Sequence, residues 1–141
     1  HCDKIRYVRR DWYLYLQRSG SITNNKAPER NLEMLTVIHS VLDHYRQAGC
    51  YEDYKPQLEY MAFYHELLTS STRVNQIDPK SPIQDALLED FLSLFPAFEE
   101  NPYVQNMPQK YKLLTDLIVR KRRRELHVVM KLNNIARRKH I

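Results

Sequence analysis

The chain of 141 residues is 43% hydrophobic with ten tyrosines, enough apolar material for one folded domain, which excludes an intrinsically disordered chain. Its two glycines cannot build a phosphate-cradling loop or a dinucleotide fingerprint, and no apolar run approaches the ~18 residues of a membrane-spanning helix or resembles a signal peptide. The net charge of +5 conceals a split: residues 109–141 carry eleven Lys/Arg against two acids, net +9, while residues 1–108 carry eleven against fifteen, net −4.

Apolar spacing predicts five or six helices and no strand, an all-α antiparallel array or solenoid in a single domain over 1–141. The first helix runs from Asp3 to Arg18, with Ile5, Val8, Trp12, Tyr15 and Leu16 on the buried side. Asp3, Arg6 and Arg9 form an ionic stripe at three-residue steps, with Asp11 beyond it. The polar stretch SGSITNNKAP ends that helix. A second begins near Pro28 and stops at Gly49, with Leu35, Ile38, Leu42 and Tyr45 facing inward. The third starts at Pro56 and buries Leu58, Met61, Ala62, His65 and Leu68, and RVNQIDPKSP comes next as a connector. Ser81-Pro82-Ile83-Gln84 reads as a capping box, opening a fourth helix that buries Ile83, Leu87, Phe91, Leu94 and Phe98 until Pro96 ends or kinks it. NPYVQNMP is a second connector with room for one helical turn. From Gln109 onward there is no Gly or Pro, and Leu114, Leu117, Ile118, Val128, Val129, Leu132 and Ile135 keep helical spacing. Five consecutive basic residues, Arg120 to Arg124, interrupt that stripe. They cover every direction around a helix, so they are solvated, bound to a partner, or a break between two helices.

No catalytic constellation emerges, and the chain is read as a non-enzyme without cofactor or metal. His65-Glu66-Leu67-Leu68-Thr69 opens like a zinc-protease motif, but threonine occupies the place of the second histidine, and His65 reads as a core or boundary residue. His39 and Asp43 read as a pair on one helix surface, too few ligands for a metal. The acid pairs Glu52/Asp53, Glu89/Asp90 and Glu99/Glu100 read as solvated faces. Cys2 and Cys50 stand alone, which points to a reducing compartment, and a first residue of His1 reads as a fragment of a longer chain. The basic end remains. Arg120, Lys121, Arg122, Arg123 and Arg124, with Arg137, Arg138 and Lys139, suit the phosphates of RNA or single-stranded DNA. An acidic protein partner or plain solvation accounts for them too, and the two clusters also have the form of a bipartite nuclear-import signal. Tyr103 and Tyr111 lie nearby without being interleaved with the basic run.

The segment DKIRYVRRD also resembles the opening of the helical domain of the GANP family, scaffolds of a nuclear mRNA-export complex, which reads Asp-Arg-x-Arg-x-Val/Ile-Arg-x-Asp. Asp3, Arg6, Val8, Arg9 and Asp11 match, and Lys4 stands where the first arginine would. Glu59, Tyr60, Ala62 and Tyr64 are similar to the family's Glu-Ala-Glu-Phe-x-Ala-Tyr-like helix. The resemblance covers about the first seventy residues; the family's glycine-asparagine turn before its late aromatic helix is missing here. It implies a PCI-like helical solenoid, nuclear, that binds a PCI-domain partner and a small acidic DSS/Sem-type subunit and presents a basic surface to RNA. Arg6, Arg9 and Asp11 would then orient the first helix. The rival reading is a pure protein–protein scaffold, a PCI-type lid or initiation-factor-like subunit, with no nucleic-acid role.

Overall fold

The computed structural model describes residues 27–138, with side chains through residue 133. The predicted first helix, with Asp3, Arg6, Arg9 and Asp11, lies outside the described residues, as does Lys139. Within them every regular element is helical, as the apolar spacing predicts.

A 3-10 turn, Pro28–Leu32, leads into α1, Glu33–Gln47, which buries Ile38 and Leu42. Gly49 ends α1 at φ 70°, with Gly49 N–H bonded to the Arg46 carbonyl and Cys50 N–H to the Tyr45 carbonyl. This is the Schellman arrangement, in which a left-handed residue lets the chain recover its last helical carbonyls. The next helix starts earlier than its proline suggests. α2 runs Tyr51–Ala62 and holds Pro56 inside it. Asn101 donates from Nδ2 to the Pro56 carbonyl, 2.8 Å, and to Glu59, 2.9 Å, while its Oδ1 caps the N–H of Tyr103. One buried asparagine thus ties α2 to the start of the short α5, Pro102–Gln105.

α2 continues without a break into a π-helical segment, Phe63–Ser70, and then α3, Ser71–Ile77. The stretch Arg73–Ile77, expected to be connector, is therefore helix. Its apolar neighbours decide this: Val74 packs with Ile83 and Leu87, and burial outweighs weak local propensity. The wider π turns also overturn the expected burial of His65. An i→i+5 turn takes up an extra residue and rotates the residues beyond it, so Glu66 faces inward at 0% exposure and His65 faces out. Ser70 Oγ donates to the His65 carbonyl at 2.8 Å and Thr72 Oγ1 to that of Leu68 at 2.8 Å, so side-chain hydroxyls serve carbonyls that the wide turns loosen.

α4, Ile83–Leu94, stops before Pro96. Its capping box is half formed: Ile83 N–H reaches Ser81 Oγ at 3.3 Å, but Gln84 turns to the Pro79 carbonyl, 3.1 Å, and to Asn75. Phe98 lies beyond the helix in a 3-10 turn, Phe98–Glu100, and still enters the core. The main core joins the rings of Phe63, Phe91, Phe95 and Phe98, with centroids 5.2–6.2 Å apart, to Ile38, Leu42, Leu67 and the inner side of α6, Gln109–Val119. The last helix is α7, Arg123–Arg138. It buries Leu126 but leaves Val128 55% and Leu132 61% exposed, so the apolar spacing read there is only partly a core stripe.

Candidate nucleic-acid interface

The five basic residues are a break between helices. α6 ends in a second Schellman arrangement, with Lys121 N–H bonded to the Ile118 carbonyl at 2.9 Å and Arg122 N–H to that of Leu117 at 2.8 Å. The left-handed position, which Gly49 fills on α1, here falls to Lys121 at φ 54°. A lysine there is strained by roughly 1 kcal/mol, the clash of Cβ with the following carbonyl. Lys121→Gly is accordingly expected to be about 1 kcal/mol more stable than Lys121→Ala, since both lose the amine and only alanine keeps the strain. Denaturant titration of the two variants measures the difference, and equal stabilities would show the turn to be unstrained.

Because the chain turns, the run is distributed over separate partners. Arg120 pairs with Asp116 at 2.7 Å, one turn back on α6, and Arg122 with Glu125 at 3.1 Å. Lys121 reaches across to Asp85, 3.2 Å, and Glu89, 3.6 Å, on α4, and Arg123 also pairs with Asp85. The Arg123 guanidinium, then the Lys121 amine, hold the Asp85 carboxyl below its usual range against an opposing effect of burial. Glu125 is held low as well, first by a backbone N–H and then by Arg122. Exposed pairs of this kind are worth ~0–1 kcal/mol each, so they orient the side chains without fixing them. Arg124 is exposed and has no ion pair within the described residues.

The turn sits over the loop before α4. An open cleft of about 630 Å³ is lined by Asp78, Pro79 and Lys80 on one side and Lys121 to Glu125 on the other. It lies at the start of α7, where the helix dipole puts its positive end. Arg123 and Arg124 add like charge to that end, which an incoming anion would relieve. Behind the cleft, buried Asn75 of α3 donates from Nδ2 to the Arg123 carbonyl, 3.0 Å, and to Gln84 Oε1, 3.1 Å. The backbone carbonyl of Asn75 accepts from His127 Nδ1 at 3.0 Å. α3 and the first turns of α4 and α7 are therefore clamped at one residue, and Gln84 in turn holds the Pro79 carbonyl of the loop before α4.

Of the residues expected at this site, Lys121 to Arg124 line the cleft, Lys121 and Arg122 from the turn and Arg123 and Arg124 from α7, whereas Arg120 lines a different hollow beside Asp116. Arg137 and Arg138 end α7, roughly 20 Å along its axis from Arg123, so they do not share the cleft. Lys80 and the α4 acids carried no sequence signal, since nothing local links them to a run some forty residues away. Tyr103 and Tyr111 belong to a surface row through Tyr60 and Tyr64, with successive centroids 5.6, 6.4 and 6.3 Å apart, away from the basic turn. A second hollow, about 400 Å³, lies between Phe98, Val104, Met107 and α6, with Glu99, Lys112, Asp116 and Arg120 in its lining.

His39 does not pair with Asp43 on its own helix. Its Nε2 donates to both oxygens of Asp90 on α4, 3.0 and 3.1 Å, while Asp43 pairs with Arg46. Asp90 is therefore not a freely solvated acid. Among the described residues no group of three His, Cys, Asp or Glu is placed to hold a metal, and no helix is long and apolar enough to cross a membrane. No protein-family model, curated protein or solved structure matches the chain.

Proposed function

We propose that this chain is a helical scaffold of the nuclear mRNA-export kind that its first seventy residues resemble, with a basic turn that contacts RNA. By that resemblance it holds a PCI-domain partner and a small acidic DSS/Sem-type subunit, in a PCI-like array, and works by binding rather than by chemistry. The observation that carries the RNA contact is the cleft at the start of α7, where Lys80, Lys121, Arg122, Arg123 and Arg124 converge beside the helix's positive end. Phosphate contacts of this sort bind without strong sequence preference and weaken steeply in salt.

The test is fluorescence anisotropy of labelled oligouridine against the 141-residue chain at several salt concentrations. Arg123 is needed by Asp85, so the informative reversals are Arg122→Glu and Arg124→Glu. The double variant is expected to remove most binding while the helical circular dichroism spectrum persists. In the milder double alanine variant, the slope of log affinity on log salt should become shallower by ~1.4, about 0.7 for each single-strand phosphate no longer neutralised. Absence of binding even at low salt, or no change in the variants, would turn the reading over to a pure protein–protein scaffold. Two observations favour that second reading: much of the run is already paired with Asp85, Asp116 and Glu125, and Val128 and Leu132 stand exposed further along α7.

A further inference from the structure

Outside the residues that line the basic turn's cleft, three ionisable side chains from three helices lead from surface to core. His39 of α1 is 45% exposed in its side chain, Asp90 of α4 is 24% exposed, and Glu66 of the π segment is completely buried. His39 holds both oxygens of Asp90. Neither oxygen of Glu66 has a hydrogen-bond partner, which is the costliest state available to a buried carboxylate. The pair with Asp90 is looser than a formal hydrogen bond, yet near enough for the Asp90 charge to act on Glu66. Burial first, then the Asp90 charge, push the Glu66 carboxyl up to about 8. The groups that bear on Glu66 are thus Asp90 from α4 and, behind it, His39 from α1. α6 meets the π segment elsewhere, where Lys110 and Tyr111 lie beside Tyr64 and Leu68, and both His65 and Arg73 face outward. The position of Glu66 in π-helical backbone adds a second feature, because π turns are rare and recur at functional sites.

We propose that the His39–Asp90–Glu66 column is a proton-operated latch, fastening α1, the π segment and α4 while Glu66 carries its proton and loosening them when that proton leaves. With the proton, Glu66 is a neutral group that the core tolerates and that can share its O–H with Asp90. Without it, two carboxylates face each other in a space with one partially exposed imidazole between them and water. The proton passes to solvent past Asp90 and His39, the polar side chains that lead from Glu66 to the surface. Opening comes next, because the charge gains solvation only if the π segment or α4 moves outward.

The sign is fixed by linkage. The native chain keeps a proton that the unfolded chain releases near 4.5, so the folding constant falls by up to tenfold per pH unit between about 4.5 and about 8, then levels off. Folding constants measured from about pH 5 to about pH 9 should show that fall in the wild type. Glu66→Gln keeps the shape and cannot titrate, so the difference between the two curves isolates Glu66, whatever the histidines contribute to both. Parallel curves would overturn the proposal. Should Glu66→Gln fail to fold, the carboxyl carbon-13 shift of Glu66 in the wild type decides: a midpoint near 8 supports the latch and one near 4.5 ends it. Asp90→Asn removes a neighbouring charge and leaves burial in place, so its midpoint should move to lower pH; an unmoved midpoint would remove Asp90 from the device. Amide exchange distinguishes a latch from a general loss of stability. Above pH 8, corrected for intrinsic rates, α1, the π segment and α4 should open at least about tenfold more than α6 in the wild type, with no such gap in Glu66→Gln, and uniform opening would overturn the proposal.

Discussion

Phe63→Ala is expected to cost about 3–5 kcal/mol, the range for removing a fully buried aromatic ring from a packed core. The ring has no exposure and touches Phe91, Phe98 and Tyr60 at centroid distances of 5.9–6.2 Å, so no single neighbour can collapse into the space it leaves. Since domains of this size are stable by only about 5–15 kcal/mol, such a loss brings the variant near unfolding at ambient temperature. Denaturant titration followed by far-ultraviolet circular dichroism measures it, with Phe63→Leu as a control expected to lose far less. A cost under about 1 kcal/mol for the alanine variant would mean that the ring does not join the helices as described.

Asn75→Ala is the second large effect, at about 1–3 kcal/mol, and it arises from polar groups. The change leaves the Gln84 side-chain oxygen without its donor in a buried place, at a cost of ~1–3 kcal/mol, and takes from the Arg123 carbonyl a second donor beside its helical N–H. Asn75→Asp is expected to be worse than alanine, because a carboxylate would face two oxygens where an amide now donates. The same variants should weaken RNA binding at the basic turn beyond their effect on stability, since the Arg123 backbone loses its anchor. Thermal unfolding and anisotropy on the same samples separate the two, and full affinity in a folded Asn75→Ala variant would show that the clamp does not position the turn.

The helices are legible in the sequence wherever one periodicity governs a segment. α1 and α4 follow their apolar spacing closely, and Gly49, Pro96 and the turn at Pro102 end or start elements where their chemistry says they should. Departures lie where two rules compete. Pro56 reads as a start because proline is favoured there, but it stands in the second turn of α2, where the carbonyl it leaves without a helical N–H is that of exposed Glu52. His65 and Glu66 exchange faces because a constant step of 3.6 does not carry across π turns. The basic run is recognisable as a site candidate, with a helix break among its open readings. A lysine in the left-handed position is not legible, since glycine is the residue that ordinarily marks it. Pairings between Lys121 and Asp85, Asn75 and Arg123, or His39 and Asp90 join residues 36 to 51 positions apart. Only tertiary packing brings them together, and no local pattern encodes it.

The π segment has a meaning for how length and shape are related in this fold. An α-helix that gains one residue turns everything beyond it by about 100°, and the wide turns of 63–70 act as a built-in phase shifter between two lengths of ordinary helix. Upstream of it, Leu58 and Ala62 look toward one set of neighbours; downstream, Val74 and Asn75 look toward another, and a uniform rod of the same length could not serve both. The tolerance of this helix to insertion and deletion is therefore rotational. A residue gained or lost within 63–70 is transmitted as a twist to the clamp that holds the basic turn. Angular register, set by eight residues in the middle of the chain, governs where the charge at its far end is aimed.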